Sequence, residues 1–329
     1  MSRFILDTSF RWYDNMGGMT IVLDFARISI LKRGFMHPVL FKIPFLNQPV
    51  HTYGALIVLG FLLALKAAEW RARTYGKYEQ DAADFGFWAL LGGLIGSRVI
   101  FIAVEWRQYF IEKPFVEIQS LGIKIPAVLA FWQGGLVYWG GFLGGVVVCL
   151  WFTKKRNLPR LLFFDIMVIG VPLAQAFGRL GCVSAGCCYG RALSSETGLG
   201  MRFPPGSAAY DTLFGQVLPA VRGFMIEHAH TWPLVPVQLM ESLGALAIFF
   251  LLVYWAPRKH FHGQMLLAYA VLYSVMRSII ETFRGDVERG YVIDGVLSTS
   301  QFISLCVVII AITTTFVMSH RHKKNLSLK

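Results

Sequence analysis

Long apolar segments recur along this 329-residue chain and constrain its fold more than any other feature. Their lengths suit α-helices that cross a hydrocarbon core of about 30 Å. They do not alternate between polar and apolar residues as the strands of a transmembrane barrel do. The pattern therefore predicts an all-α, polytopic membrane protein with seven transmembrane helices, near residues 53–68, 85–104, 135–152, 163–180, 238–255, 264–283 and 298–318.

The charge content supports this class and excludes others. Only 15% of the residues are charged, whereas a soluble domain devotes about a quarter of its residues to charged side chains. The formal net charge of +12 lies in short loops between apolar segments, where it sets orientation in a bilayer. We therefore exclude a soluble enzyme, a disordered chain and a nucleic-acid-binding domain, and we expect no nucleic-acid partner.

The distribution of lysine and arginine predicts the orientation. One set of alternate loops and the C-terminal tail hold 13 Lys and Arg in 45 residues, and the other set of loops holds 8 in 93. The positive-inside rule places the denser set in the cytoplasm, so we expect the N-terminus outside and the C-terminus inside. The long loop 181–237 then lies on the outer face, as a small head domain or a lid.

The first 35 residues form an N-terminal extension to the seven-span domain 36–329. Two interpretations stay open for it. The segment Met19 to Ile30 can form an amphipathic helix in the membrane interface. Alternatively, translation begins at Met36 and the preceding stretch is not part of the protein.

Four ionisable residues within the predicted spans point to a shared site: Arg98, Arg179, Arg277 and Glu281. Each costs a few kcal/mol on insertion scales, so each must face protein or water. In the predicted orientation all four lie in the outer half of the bilayer, and Tyr53 opens the first span from the same side. One outer-leaflet cavity explains them together. Guanidiniums in such a cavity suit bidentate binding of a phosphate, which indicates a phospholipid ligand.

Structural interpretations of the same residues stay open. Arg98 can extend toward the headgroups, Arg179 can anchor a helix end, and Tyr53 can belong to an aromatic belt. Arg277 and Glu281 are four residues apart and can neutralise each other. The glycine pairs in this region can allow close helix packing instead of opening a cavity; they are 134/135, 140/141 and 144/145.

Three of the five cysteines, Cys182, Cys187 and Cys188, follow Arg179 closely. No paired fourth ligand is adjacent, so we predict no metal site. On the outer face a disulfide can join Cys182 to Cys187 or to Cys188. A thiol near Arg179 can also act as a nucleophile, which makes the three cysteines a possible thiol site. Two further cysteines are apolar filler within spans: Cys149 and Cys306.

Six motifs in order resemble those of the bacterial prolipoprotein diacylglyceryl transferase family, from about Pro38 to the end of the chain. The central one is GRLGCVSAGCCYG, which ends at Gly190. The others are HTYGALIVLGF at His51, LLGGLIGSR ending at Arg98, WQGGLVYWGGFLGG at Trp132, PVQLMES at Pro236 and YSVMRSIIETFRGD at Tyr273.

The resemblance implies a seven-span enzyme of the bacterial inner membrane whose active site faces the periplasm. It implies transfer of the diacylglyceryl group of phosphatidylglycerol to the lipobox cysteine of a prolipoprotein signal peptide, forming a thioether and releasing glycerol phosphate. We expect no cofactor. The implied catalytic residues are Arg179, Arg277, Tyr53 and Glu281. The implied lipid- and phosphate-binding residues are Arg179, Arg277, Arg98, Arg284, Gly190, Gln238 and Glu241.

Three positions depart from the family pattern. Trp139 stands where the family commonly has a histidine, and an indole cannot accept a proton. Cys182 and Cys187 stand where it commonly has asparagine and glutamate. The identity of the proton acceptor therefore stays open. Two alternative functions stay open as well: a transferase of the same fold with another acceptor, and an inactive relative that binds lipid or lipoprotein.

Overall fold

A computed structural model describes twelve ranges of the chain: 5–6, 12–13, 39–42, 49–107, 110–111, 115–118, 123–129, 137–195, 200–217, 219–285, 290–293 and 296–327. The interfacial helix predicted over Met19 to Ile30 lies outside these residues, as do Gly134 and Gly135. The described part is mostly helical. Its α-helices are α1 Thr52–Arg73, α2 Glu79–Val104, α3 Tyr138–Lys155, α4 Arg160–Met167, α5 Val171–Ala185, α6 Ala208–Gln216, α7 Pro219–His228, α8 Val237–Trp255, α9 Gln264–Glu281 and α10 Thr299–Ser327.

Helices occupy all seven segments that the apolar pattern predicted. Within the described ranges, five helical segments are long and apolar enough to cross a membrane: Thr52–Arg73, Glu79–Val104, Arg160–Ala185, Val237–Arg258 and Thr299–His322. The prediction of a helical membrane protein is confirmed at this level. The other two predicted spans correspond to α3 and α9, and the count of seven spans stays a prediction.

The predicted span 163–180 lies within the segment Arg160–Ala185, which is long and apolar enough to cross a membrane but consists of two helices. α4 ends at Met167 and α5 begins at Val171. Pro172, in the first turn of α5, has no amide hydrogen and cannot continue a preceding helix. α5 also runs on to Ala185, where Gly186 caps it with a left-handed φ of 66°. The loop predicted to start at 181 therefore starts at Gly186.

The described residues also include four short antiparallel sheets of two strands each, which were not predicted. They pair β1 Ile5–Leu6 with β2 Trp12–Tyr13, β3 Val39–Lys42 with β4 Pro49–His51, β5 Phe115–Ile118 with β6 Ile123–Pro126, and β7 Tyr291–Ile293 with β8 Leu297–Ser298. All but β1–β2 belong to connections before, between or after predicted spans, so they add local order to loops and leave the helical architecture unchanged.

The chain divides into two compact units. One comprises residues 1–64 and 169–329. In it α5 packs on α8, α8 on α9, and α9 on α10. The segment between α5 and α8 has its own apolar core around a fully buried Phe203, formed with Val183, Tyr189, Met201, Ala209 and Leu234.

The other unit comprises residues 65–168, and its main feature is the close approach of α2 and α3. A Cβ atom on Gly144 would lie 2.2 Å from the carbonyl oxygen of Gly92, and one on Gly140 would lie 2.3 Å from that of Gly96. Backbone atoms cannot yield to such contacts. For Gly140 and Gly144 the packing interpretation is therefore confirmed, because glycine lets the two backbones touch.

We expect Gly144→Ala to lower the thermal unfolding midpoint of the protein in detergent, because the new methyl group meets the backbone of α2. Overpacking of this kind typically costs about 1 to 3 kcal/mol. Gly145→Ala is the matched control, since nothing lies within 4 Å of its added Cβ atom. Both changes bring the same gain in helix propensity. Equal midpoints for the two variants would contradict this interpretation of the α2–α3 contact.

Candidate active site

The carboxylate of Glu241 on α8 is the centre of a buried charge cluster. Its side chain is 3% exposed and forms ion pairs with three guanidiniums. The Nε atom of Arg179 lies 2.6 Å from Oε2, and Nη1 of Arg277 lies 3.4 Å from Oε1. Nη1 of Arg284 lies 3.3 Å from the same Oε1. One carboxylate therefore joins α5, α9 and the segment that follows α9.

Glu281 supplies a second carboxylate to the cluster. Its Oε2 forms an ion pair with Nη2 of Arg277, so the predicted pairing of these two residues along one helix is confirmed. Three guanidiniums and two carboxylates leave a formal surplus of positive charge. Because buried charge is costly unless it is compensated, this surplus favours an anionic ligand.

Arg179 is the residue of the cluster that is most exposed to solvent. Its side chain is 26% exposed, whereas those of Arg277 and Arg284 are 10% and 3% exposed. Only its Nε faces Glu241, and its two terminal amino groups form no ion pair with the residues that the structure describes. Arg179 lies in α5, six residues before the end of the helix. It is the most exposed of the three guanidiniums, so an incoming anion meets it first.

Gly190 positions Arg284 through the backbone. The amide of Gly190 donates to the carbonyl of Val235, and that of Arg191 donates to the carbonyl of Phe283. A Cβ atom on Gly190 would lie 2.5 Å from the Val235 oxygen, which only glycine avoids. The structure thus gives Gly190 a role in packing the loop against the end of α9. Its predicted contact with lipid stays a prediction.

Gln238 lies one turn before Glu241 on α8 and is fully buried. Its Nε2 donates a hydrogen bond of 2.9 Å to the carbonyl of Cys187. Its Oε1 has no hydrogen-bond partner in the described part of the chain. Gln238 therefore supports the turn after α5, and a direct contact with lipid stays a prediction.

Tyr53 lies beside the helix that carries Arg179. A Cβ atom on Gly181 would lie 2.9 Å from Cδ2 of the Tyr53 ring. The Tyr53 side chain remains partly exposed, so its position fits the border of the site as well as an aromatic belt.

The three cysteines converge. The Sγ atoms of Cys182, Cys187 and Cys188 all lie within 4.8 Å of one another, and none forms a disulfide in the structure. Hydrogen bonds from the Cys182 and Cys187 thiols, followed by the charge of Arg284, hold the pKa of the Cys188 thiol below its ordinary value. Hydrogen bonds with the Cys182 and Cys188 thiols raise the pKa of Cys187. The predicted thiol site thus exists as a cluster, without the disulfide.

Arg98 and Trp139 belong to the unit 65–168. The Nε of Arg98 donates to the carbonyl of Val128 at 3.1 Å, and its Nη2 donates to that of Ala127 at 2.9 Å. These contacts bury Arg98 and give it a structural role. Its predicted share in lipid binding stays a prediction. Trp139 is exposed and packs edge-on against Phe142.

Sequence reasoning missed the central position of Glu241, which only the family resemblance singled out. The signal was present, because Glu241 is an acidic residue inside the predicted span 238–255. The rule that flagged Arg179 and Arg277 applies to it equally. The convergence of the cysteines gave no signal of its own, because it depends on how the chain turns after α5.

Comparison with known proteins shows what the chain is similar to. A family model described as prolipoprotein diacylglyceryl transferase matches residues 38–317. Proteins named phosphatidylglycerol-prolipoprotein diacylglyceryl transferase are similar to the chain over most of their length. The one from Clostridium tetani is 31% identical, covering 84% of this chain and 96% of the relative. The one from Mycobacterium leprae is 31% identical, covering 80% of this chain and 76% of the relative. The one from Clostridioides difficile is 28% identical, covering 84% of this chain and 93% of the relative.

We expect Glu241→Gln to lower the free energy of unfolding by about 3 kcal/mol or more, because it leaves buried guanidiniums without a counter-charge. Denaturant titration in mixed micelles measures this. Glu227→Gln on α7 is the matched control, because Glu227 is exposed and should contribute less than about 1 kcal/mol. A Glu241→Gln variant as stable as the control would show that the carboxylate does not hold the cluster together.

Proposed function

This chain belongs to the prolipoprotein diacylglyceryl transferase family, and we infer that it transfers the diacylglyceryl group of phosphatidylglycerol to the cysteine thiol of a prolipoprotein. The product is a thioether, and glycerol phosphate is released. One observation carries the assignment of the site: three guanidiniums meet on the buried Glu241 and leave the terminal amino groups of Arg179 open.

The open amino groups suit the lipid donor. Phosphatidylglycerol presents a phosphodiester with one negative charge, and the cluster has surplus positive charge to receive it. Guanidiniums bind phosphate oxygens through paired hydrogen bonds, which fix the orientation as well as the charge. We propose that Arg179 and Arg277 hold this phosphate and that Arg284 stabilises their arrangement.

The same arginines can lower the barrier of the reaction. The acceptor thiolate attacks the glycerol carbon, the bond from carbon to phosphate oxygen breaks, and the departing phosphate gains a second negative charge. Donors already aimed at that charge stabilise the transition state without rearrangement. Glu281 keeps Arg277 in place through their ion pair, and Tyr53 borders the site from α1. We assign both residues to supporting roles in the reaction.

Lysine and arginine distribution supports a seven-span topology with the N-terminus outside. We propose that the enzyme lies in the bacterial inner membrane with this site toward the periplasm. The segment from Gly186 to α8 then forms the outer-face head next to the site. The acceptors of the enzyme are signal peptides with a lipobox cysteine. Its partners include membrane lipids but no nucleic acid.

Replacing Arg179 or Arg277 with Ala should lower the rate of lipidation by about 100-fold or more, as the loss of one donor to developing charge does in other enzymes. The assay follows a lipobox peptide in phosphatidylglycerol vesicles. The rate of the Arg179→Lys variant should lie between those of wild type and Arg179→Ala, because lysine keeps the charge but cannot donate two parallel hydrogen bonds to a phosphate.

Arg258→Ala is the control, because Arg258 is exposed beyond the end of α8 and contacts the carbonyl of Tyr254. Its activity should equal that of wild type. Unaltered turnover in both Arg179→Ala and Arg277→Ala would remove the role assigned to the cluster.

A further inference from the structure

The three clustered thiols have no part in the proposed reaction so far. They lie where α5 ends, close to the phosphate-binding cluster, since Arg179 is three residues before Cys182 and Arg284 contacts Cys188. The reaction also needs a group that takes the proton of the acceptor thiol. The indole of Trp139 cannot do this.

The sequence predicted no metal site here, because no fourth ligand is adjacent. The spacing of the three sulfur atoms nevertheless suits a single metal ion with an open fourth position. At a zinc–sulfur distance of about 2.3 Å, sulfurs at the corners of a tetrahedral site lie about 3.8 Å apart. The three Sγ atoms already lie within 4.8 Å of one another. A shift of less than about 1 Å for each sulfur therefore brings all three to bonding distance.

The backbone holds the thiols in this arrangement. The amide of Cys187 donates to the carbonyl of Cys182 at 3.2 Å, and the buried Gln238 donates to the carbonyl of Cys187. Cys188 has a left-handed φ of 59°, which is unfavourable for a residue other than glycine. The local structure thus stabilises a conformation of Cys188 that the chain would otherwise avoid.

The surrounding charge is compatible with three thiolates. A divalent ion with three thiolate ligands has a formal charge of −1. Arg284 lies against Cys188, so its positive charge faces the negative complex directly. Thiolates are soft ligands and select thiophilic ions over magnesium or calcium.

Use of a cysteine as a covalent nucleophile is less favourable chemically. An attack by an enzyme thiolate on the lipid would form a thioether on the protein. The acceptor would then have to displace a thiolate, whose conjugate acid has a pKa near 8.5, instead of a phosphate with a pKa near 6. The second step would thus use a poorer leaving group than direct transfer does.

We propose that Cys182, Cys187 and Cys188 bind one thiophilic divalent ion of the zinc class, and that the open fourth position receives the acceptor cysteine as a thiolate. Three protein ligands and one open position are the arrangement of catalytic zinc sites. A thiol that coordinates such an ion loses its proton. This proposal rests on the proposed transferase function, because it names how that reaction activates its acceptor.

The step balances without any oxidant or reductant. The acceptor S–H bond breaks on coordination, and its proton goes to water. The metal-bound sulfur forms the new bond to the glycerol carbon, and the carbon–oxygen bond breaks with its electron pair on the phosphate oxygen. The neutral thioether is a weaker ligand than the thiolate and leaves the ion free for the next acceptor.

Metal binding is tested directly with the full chain in detergent, loaded with Zn²⁺ or Co²⁺ under reducing conditions. We expect one ion per chain by mass spectrometry of the metal, and a cobalt–thiolate absorption band. The band should shift when a lipobox peptide is added and should not shift with the peptide whose cysteine is replaced by serine.

The chain offers matched controls for this measurement. C149S and C306S should bind one ion as wild type does, whereas the triple variant C182S/C187S/C188S should bind none. A wild type that binds no ion, or a triple variant that binds as much as wild type, would overturn the proposal. So would an alkylation count showing two of the three thiols joined as a disulfide in the reduced preparation.

A second experiment measures the lipidation rate of the wild-type protein alone, so it does not depend on the folding of a variant. A free thiol of pKa 8.5 is about 3% ionised at pH 7 and mostly ionised at pH 9.5. Removing the ion with a chelator should therefore slow lipidation about 30-fold at pH 7 and little at pH 9.5, with recovery on adding zinc. A rate that chelation leaves unchanged at pH 7 would overturn the metal role and leave the transferase function standing. A metal-loaded protein whose cobalt band responds to the peptide without lipidation would instead contradict the transferase function.

Discussion

A single buried carboxylate holds the candidate active site together. Arg179, Arg277 and Arg284 come from different segments of the chain, and like charges repel strongly where water is excluded. They approach one another because Glu241 lies among them, 3% exposed and within ion-pair distance of all three. α5 and α9 both pack on α8, the helix that carries this carboxylate. The geometry that we propose to bind lipid phosphate follows from the same contacts.

The arginine cluster and the turn that carries Cys187 and Cys188 are both held by side chains of α8. Gln238 and Glu241 lie one turn apart on α8, and one holds the turn at Cys187 while the other holds Arg179. Gly190 then lets the following segment pack against the end of α9, next to Arg284. A site for the phosphate of the donor and a site for the thiol of the acceptor can therefore be built side by side. Their proximity is what a transfer between a lipid and a cysteine requires.

The sequence indicates the helices and, within the site, the pair of Arg277 and Glu281. Apolar segment length and the distribution of Lys and Arg are properties of consecutive residues, so the helices and the pair of Arg277 with Glu281 were predictable. The break between α4 and α5 depends on Pro172 within an apolar run, and hydropathy does not register it. The gathering of the cysteines depends on where α5 ends and on a left-handed residue at Cys188. Contacts between distant segments carry no local pattern, which is why the meeting of Arg284 and Glu241 appears only in three dimensions.

The central claim is that the phosphate of phosphatidylglycerol binds the guanidiniums gathered on Glu241. Solid-state NMR of the protein in phosphatidylglycerol bilayers tests it most directly, through dipolar couplings between lipid ³¹P and guanidinium ¹⁵N nuclei. Charge-assisted contacts of about 2.8 Å between nitrogen and oxygen should give a strong coupling for one tightly bound lipid. That coupling should disappear in the Arg179→Ala and Arg277→Ala variants. A bound lipid whose phosphorus couples to neither arginine would contradict the account.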